Sequence, residues 1–287
     1  MQTARSTLTL AATAVLAGLA VLVLVVTVAT APLVDGADAP KSVTDRDSLV
    51  IGVKDDQPGL SLWDRKGEPK GFDVDVAYYV AGGLHVPSKK VSFRPVSSDE
   101  REDALRSGKV DMVIATYSIT PERKEQVTFA GPYYVAHQDI LVRRGDPSIR
   151  NVRDLRGRRL CQVPGSNSWR RVSEERKVAA AMVPARSYGE CVQALAAGRL
   201  DAVSTDDLIL AGFAAAADSG VTVVNAPFSD ERYGIGLPKG DLKGCREVNQ
   251  ILTGMYQDGA AETLLNQWFA TSGLDITLTV PQFEGCA

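Results

Sequence analysis

Residues 107–134 read SGKVDMVIATYSITPERKEQVTFAGPYY, and this stretch decides the fold class. The apolar run at 110–115 predicts a buried strand, and the Thr-Pro-Glu that follows predicts a helix with Thr120 as N-cap and Pro121 in its first turn. Arg123 then falls near the positive end of the helix dipole, where a cation is unfavourable unless an anion lies beside it. The residues alone leave two interpretations of Arg123, an anion ligand or an exposed helix-end arginine.

The same alternation of short apolar runs and amphipathic segments continues on both sides of this stretch. The strand-like runs are 49–53, 91–96, 139–144, 158–163, 200–205 and 221–224, and the helix-like segments are 73–82, 99–107, 188–198, 207–217, 242–258 and 259–270. This rhythm is typical of α/β folds, and it predicts two open α/β lobes in succession. Small ligands bind such sheets at the carboxyl ends of the strands, so we expect a site in the cleft between the lobes.

Composition excludes some classes of function. The chain has 287 residues, 45% of them hydrophobic and 23% charged, with a net charge of −3. That length has room for two ordinary domains. The slightly acidic balance offers no basic field for nucleic acid, which we do not expect as a partner.

The N-terminus contains a long uncharged segment. No charged residue occurs from Leu8 to Val34, and Arg5 precedes this run. Because the run is long enough to cross a bilayer, we interpret residues 1–34 as a signal-anchor helix, with a cleaved signal peptide as the alternative. Residues 35–45 are polar and are assigned to a linker. Either interpretation predicts an extracytoplasmic protein, secreted or attached to the outer face of the membrane.

The four cysteines are best explained as two disulfides. An even number of cysteines in an exported chain favours disulfides, although three connectivities are open. We favour the pairs nearest in sequence, Cys161 with Cys191 and Cys245 with Cys286. A metal site is the rival, but the chain has no Cys-x-x-Cys and neither histidine has a ligand-like spacing to a cysteine. We therefore expect neither a metal nor a cofactor.

Five motifs, in this order, resemble the polar amino-acid-binding proteins of ABC importers, family 3 of the extracytoplasmic solute-binding proteins. They lie at 71–80, 107–134, 155–168, 188–210 and 233–240. KDDQPGLSLWD at 54–64 and the positions of Cys161 and Cys191 resemble the actinobacterial glutamate-binding branch. The resemblance implies a two-lobed clamshell with a hinge that the chain crosses twice. The first lobe would contain 46–136 and 233–287, and the second lobe 137–232.

The resemblance also implies which residues hold the backbone groups of a free amino acid. The family's carboxylate-binding arginine falls on Arg123, with Thr116 and Ser118 at the adjacent contact positions. The aspartate that binds the α-ammonium falls on Asp206. For Asp206 and its neighbour Asp207, capping the following helix is the alternative role.

A turn in the second lobe supplies the remaining backbone-group contacts in the family. Its positions fall on Gly165, Ser166 and Asn167. Asn167 departs from the family, which has a hydroxyl side chain there, although its amide can still donate a hydrogen bond.

Two basic residues predict the side chain of the ligand. Lys54 stands where family members that bind cationic amino acids have an aspartate, and Arg101 stands where acidic-amino-acid binders have an arginine. Both would suit a second carboxylate, such as that of glutamate or aspartate. The alternative is that Lys54 and Arg101 are ordinary surface charges.

These residues predict a binding protein that is not an enzyme. We expect it to bind an acidic L-amino acid and deliver it to the membrane subunits of an ABC permease. One alternative is a membrane-anchored sensor that reports amino-acid supply. Another is a dehydratase-type enzyme on the same fold, although His85 and His137 form no catalytic triad pattern.

Overall fold

The computed structural model describes residues 41–216, 219–274, 276 and 279–286. Within them twelve strands occur, numbered here in chain order. They are β1 Leu49–Val53, β2 Asp56–Gln57, β3 Ser61–Trp63, β4 Pro69–Lys70, β5 Val91–Pro95, β6 Met112–Val113, β7 Thr128–Arg143, β8 Arg159–Gln162, β9 Ala181–Pro184, β10 Val203–Asp206, β11 Val221–Val223 and β12 Ser229–Leu237.

Eight α-helical segments lie between or after these strands in the described part of the chain. They are α1 Phe72–Gly83, α2 Arg101–Arg106, α3 Pro121–Lys124, α4 Ser168–Arg170, α5 Tyr188–Ala196, α6 Asp207–Ala215, α7 Leu242–Gln257 and α8 Ala260–Phe269. Short 3-10 turns occur at Val43–Asp45, Ser88–Lys90 and Val152–Leu155, and a π-helical turn, Arg171–Glu175, extends α4.

One sheet of seven strands organises the molecule, in the order β10-β7-β12-β6-β1-β5 with β11 also on β7. β1 is parallel to β5 and β6, whereas β7 and β12 form a long antiparallel pair. β10 and β11 join the far end of β7. The long strands therefore run from the β1-β5-β6 region into the region of β10 and β11, and they are the two crossings expected of a hinge. The lobe boundaries drawn from the sequence remain predictions.

The start of α1 shows how local sequence positions the site. Gly71 precedes the helix with φ of 145°, and a Cβ there would lie 2.2 Å from the carbonyl oxygen of Leu60. Only glycine can adopt this φ and also leave room for the carbonyl oxygen of Leu60. The next residues, Phe72 and Asp73, are fully buried, and Asp73 reaches the binding region described below.

The predicted strands and helices are present, although some differ in extent and some strands were not predicted. The run at 110–115 forms ladder pairs only at Met112–Val113. The strand predicted at 139–144 begins much earlier, at Thr128, because β12 pairs with that whole segment despite its Gly-Pro. β9 was not predicted, since its edge position beside β8 leaves it only half-buried.

The buried side chains form three clusters. One consists of first-lobe residues around Tyr117 and Phe129, and another of second-lobe residues around Ile140 and Leu160. The largest includes residues from both lobes, among them Phe72 and Leu208. The two lobes are thus in contact through apolar side chains as well as through the crossing strands.

The N-terminal predictions are only partly covered by the described residues. The apolar segment at 8–34 lies outside them, and none of the helices that are described is long and apolar enough to cross a membrane. Val43, assigned to the polar linker, is fully buried, and its backbone N–H donates to Asp241 Oδ2 at 2.9 Å. Residues 43–45 therefore pack on the first lobe, because the apolar side chain of Val43 is buried in its core.

Both favoured disulfides are formed. Cys161 is bonded to Cys191, 30 residues apart, and Cys245 to Cys286, 41 residues apart. The first ties β8 to α5 within the second lobe, and the second ties the C-terminal residues to α7. The pairing predicted from nearest neighbours in sequence is confirmed.

Replacing Cys161 and Cys191 together by alanine should lower the free energy of unfolding by about 3–4 kcal/mol, because the unfolded chain regains the freedom of the closed loop. Urea unfolding of the parent and the double variant, followed by circular dichroism, measures the difference. A loss below about 1 kcal/mol would contradict the entropic account.

Candidate functional site

A small cavity lies between the lobes and is lined by polar side chains. Its volume is about 10 Å³. The lining residues are Ser98, Arg101, Thr116, Ser118, Ser166, Asn167, Ser168, Tyr188, Thr205, Asp206 and Ile209. Six of the nine residues predicted to bind ligand are in this set. Two more, Arg123 and Gly165, contact lining residues, and Lys54 lines the adjoining part of the cleft.

Arg123 is buried and has acceptors on both lobes. Thr120 caps α3 by accepting from the backbone N–H of Arg123 at 3.3 Å, as the sequence predicted. The guanidinium of Arg123 donates to Ser118 O at 2.7 Å and to Gly165 O at 2.8 Å. Burial, together with the nearby Arg101, lowers the pKa of Arg123 to about 10, so it stays charged at neutral pH. An exposed helix-end arginine does not describe this residue, because only 7% of it is exposed.

Arg101 lies beside Arg123 over the same aromatic ring. Its guanidinium carbon is 4.3 Å from the centroid of Tyr117, and that of Arg123 is 5.1 Å away. Cations stack favourably on aromatic faces. Arg101 also donates to Ser98 O at 3.1 Å and to Gly165 O at 3.2 Å. The surface-charge alternative for Arg101 is wrong, since 2% of it is exposed.

Lys54 is likewise buried, with 5% of its surface exposed. Its ammonium donates to Ser98 Oγ at 2.8 Å and to Val96 O at 3.4 Å. Lys54 and Arg101 therefore meet at Ser98, one at its hydroxyl and the other at its carbonyl. Burial, together with the charge of Arg101, lowers the pKa of Lys54 to about 7.

Asp206 ends β10 and points into the cavity. Its Oδ2 accepts from the hydroxyl of Tyr233 at 2.7 Å, while its Oδ1 is buried without a hydrogen-bond partner among the described residues. Burial and the charge of Glu231 raise the pKa of Asp206 well above its usual range. Its side chain does not cap α6, and Asp207 accepts from its neighbour Leu208 N and pairs with His137 Nδ1 at 3.2 Å. The capping alternative is therefore not what holds Asp206.

The turn at 165–167 contributes one carbonyl and one hydroxyl to the site. Gly165 has φ of 70°, and its carbonyl accepts from both buried arginines. Ser166 Oγ lies 2.5 Å from the hydroxyl of Tyr188. The amide of Asn167 donates to Glu231 Oε2 at 2.9 Å, so this departure from the family pattern links the turn to β12.

Thr116 and Ser118 are held by buried groups of the first lobe. Thr116 has φ of 45°, and its N–H donates to Asp73 Oδ2 at 2.9 Å. Tyr133 also donates to Asp73, at 2.8 Å. Burial raises the pKa of Asp73 to about 7. Asp73 thereby positions the strand end that carries Thr116 without itself lining the cavity.

Sequence reasoning did not single out several residues that the structure brings to the site. Tyr117 carries both arginines on its face, and Tyr188 links the hydroxyls of Ser166 and Ser168. Gln57 accepts from Thr116 Oγ1 at 3.1 Å, and its amide nitrogen has no partner among the described residues. Their positions in the sequence could have indicated a role in the site. Tyr117 lies between two predicted contact residues, and Gln57 follows Lys54 by three residues.

A family model covers most of the chain. The model of the bacterial extracellular solute-binding proteins, family 3, matches residues 49–271. The chain belongs to this family. The resemblance inferred from the five motifs is thus confirmed, and so is the two-lobed fold.

The curated relatives and solved structures that resemble this solute-binding protein are named for several different amino acids. It is 37% identical over 243 residues to the glutamate-binding protein GluB of Corynebacterium efficiens, covering 81% of this chain and 82% of the relative. It is 34% identical over 233 residues to the glutamine-binding protein GlnH of the Bacillus subtilis ABC transporter, covering 80% and 84%. An ancestral arginine-binding protein bound to arginine superposes with a TM-score of 0.71 at 36% identity, covering 78% of this chain and 99% of that one.

Close approach of the lobes requires glycine at one position of α6. A Cβ on Gly212 would lie 1.9 Å from Pro58 O in the first lobe. Gly212→Ala should therefore hold the lobes apart and weaken binding of the amino-acid ligand at least about tenfold, measured by calorimetry.

Gly254→Ala is the matched control for this substitution. Gly254 also lies within a helix, and a Cβ there would have only Tyr79 Oη within reach, at 3.8 Å. This variant should bind like the parent. Equal affinity in both variants would show that Gly212 does not govern closure.

Proposed function

We propose that this protein is an extracytoplasmic receptor for L-glutamate, with L-aspartate as a related ligand, and that it delivers the amino acid to an ABC permease. The observation that carries the proposal is the burial of three cations, Lys54, Arg101 and Arg123, beside one polar cavity. Membership of the family and the amino-acid-binding names of the relatives support the general function. The choice of an acidic amino acid is inferred from the charges.

The two poles of a free amino acid have complementary groups. Arg123 presents two terminal nitrogens, each with a second N–H, and a planar guanidinium can bind the α-carboxylate in a bidentate fork. Asp206 Oδ1, which has no partner in the described chain, would accept from the α-ammonium. The ammonium would also offset the burial cost of the carboxylate, because the two charges would lie side by side.

The ligand side chain would meet Lys54 and Arg101. Burying an unpaired cation costs several kcal/mol, so two of them in contact with Ser98 favour an anionic partner. A glutamate γ-carboxylate could accept from both. The other acceptors of these cations are neutral oxygens of Ser98, Val96, Ala115 and Gly165, which leaves their positive charge uncompensated by those contacts.

L-Glutamine is the second candidate, and one observation favours it. The buried amide nitrogen of Gln57 has no partner in the described chain and would donate to an amide oxygen as readily as to a carboxylate. The similarity to the glutamine-binding GlnH agrees with this. L-Arginine is disfavoured, because its guanidinium would lie near Lys54 and Arg101 and repel them.

The comparisons support a receptor over an enzyme. The two curated relatives above are named as binding proteins, which supports a receptor. We propose membrane attachment through residues 8–34, which lie outside the described part of the chain. Transport, as opposed to sensing, is inferred from the ABC transporter to which the GlnH relative belongs.

Calorimetry with L-glutamate, L-aspartate, L-glutamine and L-arginine tests the proposed ligand. L-Glutamate should bind at least about tenfold more tightly than L-glutamine, because only a carboxylate neutralises Lys54 and Arg101. Tightest binding of L-arginine would overturn the charge argument. Lys54→Met should reduce the preference for glutamate over glutamine, while Lys109→Met, at an exposed position of the same lobe, should leave it unchanged.

The ratio of glutamine to glutamate dissociation constants should depend on pH. Lys54 has a pKa of about 7 in this structure, and a bound γ-carboxylate would raise it. Glutamate binding is then fully favoured below pH 7 and weakens as pH rises through the higher pKa of the complex. The side chain of glutamine has no charge, so its binding does not depend on the charge of Lys54 in this way. Titration of Asp206 affects the binding of both ligands equally and cancels in the ratio.

We therefore expect the ratio to fall at least about fivefold between roughly pH 6 and roughly pH 9, and Lys54→Met to abolish the change. Calorimetric titrations of both ligands across this range provide the measurement. A ratio that stays constant in the parent would remove Lys54 from the ligand site.

A further inference from the structure

The C-terminal residues lie against the first lobe beyond the part of the chain that the family model covers. We call residues 279–286 the C-terminal tail. The family match ends at residue 271, eight residues before the tail begins. The tail is held by the disulfide of Cys286 with Cys245 and by the backbone N–H of Glu284, which donates to Gly131 O on β7 at 2.9 Å.

Glu284 joins two cations that belong to different elements. One carboxylate oxygen, Oε2, forms an ion pair with Lys124 at the end of α3. The other, Oε1, has no hydrogen bond but lies 3.1 Å from Arg232 Nε on β12. The Glu284 side chain is 17% exposed, whereas those of Lys124 and Arg232 are 35% and 55% exposed, so solvent screens both ion pairs in part.

Each cation is the immediate neighbour of a residue that supports one pole of the site. Lys124 follows Arg123, which is the proposed ligand of the α-carboxylate. Arg232 precedes Tyr233, whose hydroxyl donates to Asp206 at 2.7 Å. A single carboxylate on the tail therefore connects the backbone segments that position the two opposite charges.

The turn that carries Arg123 needs such support. α3 has four residues, and a helix this short has little stability of its own. Its described restraints include the Thr120 cap, the bond from Lys239 Nζ to Lys124 O at 2.5 Å, and the ion pair with Glu284. Ile119, just before the turn, donates its backbone N–H to Arg232 O at 2.8 Å, and Glu284 adds a side-chain link between the turn and the same residue of β12.

We propose that Glu284 is a positioning residue for ligand binding, which fixes the Arg123 turn relative to β12 while the Cys245–Cys286 disulfide holds the tail in place. The residue does not touch the cavity and acts through Lys124 and Arg232. This inference rests on the proposed binding site at Arg123 and Asp206. Nothing in the family match assigns a role to the tail.

Glu284→Gln tests the proposal, because it keeps the size of the side chain and removes its charge. The affinity for L-glutamate, measured by calorimetry, should fall about three- to tenfold. Adding Lys124→Met to this variant should weaken binding little further, since the two residues act as one pair. Asp45→Asn is the matched control: it removes the same charge and the ion pair with Lys243 elsewhere on the first lobe, and it should bind like the parent.

Amide hydrogen exchange without ligand provides a second readout. In Glu284→Gln, exchange in residues 119–127 should be at least about threefold faster, with α1 unchanged as an internal reference. Joint replacement of Cys245 and Cys286 by alanine should also speed exchange in residues 119–127. A merely stabilising role would speed exchange in α1 and the turn alike.

The two measurements separate the possible failures. Parent-like affinity and parent-like exchange in Glu284→Gln would overturn the positioning role. Failure of the parent to bind L-glutamate would instead contradict the proposed function, and the exchange measurement would still decide the role of Glu284.

Discussion

The burial of Arg123 is the constraint on which the arrangement of the site depends. A guanidinium keeps its proton at neutral pH. A buried guanidinium therefore needs hydrogen-bond acceptors in the fixed directions of its N–H groups. Here Ser118 O supplies one from the first lobe and Gly165 O another from the second lobe. Arg123 can only have both acceptors when the lobes meet, and the position of the second lobe is therefore linked to the charge on the first.

The crossing strands convert this local requirement into a property of the whole molecule. β12 carries three consecutive residues with different tasks: Glu231 accepts from Asn167, Arg232 pairs with Glu284, and Tyr233 donates to Asp206. Since β12 also pairs with β7 along most of its length, all three contacts are made from one strand that crosses between the lobes. Ligand-dependent movement of hinged lobes needs such a coupling between the site and the hinge.

Much of the fold could be predicted from the sequence because its signals are local. Apolar runs marked most strands, Thr120 and Pro121 marked the start of α3, and nearest spacing marked both disulfides. β7 was the exception. Gly131-Pro132 predicts a break in the strand. The segment is nevertheless a continuous strand, because β12, about a hundred residues later in the chain, pairs with it.

Most of the candidate site residues could also be predicted from the sequence, through motifs that resemble one family. The groups that surround these residues could not be predicted. Residue types and spacing determined that Arg123, Asp206, Lys54 and Arg101 are present and where they fall relative to strand ends. Only tertiary structure decided that three of these charges are cations buried close together, and that Asp206 Oδ1 has no described partner. The physical reason is that burial and charge neutralisation are set by groups distant in the chain, and no local pattern encodes the distance between them.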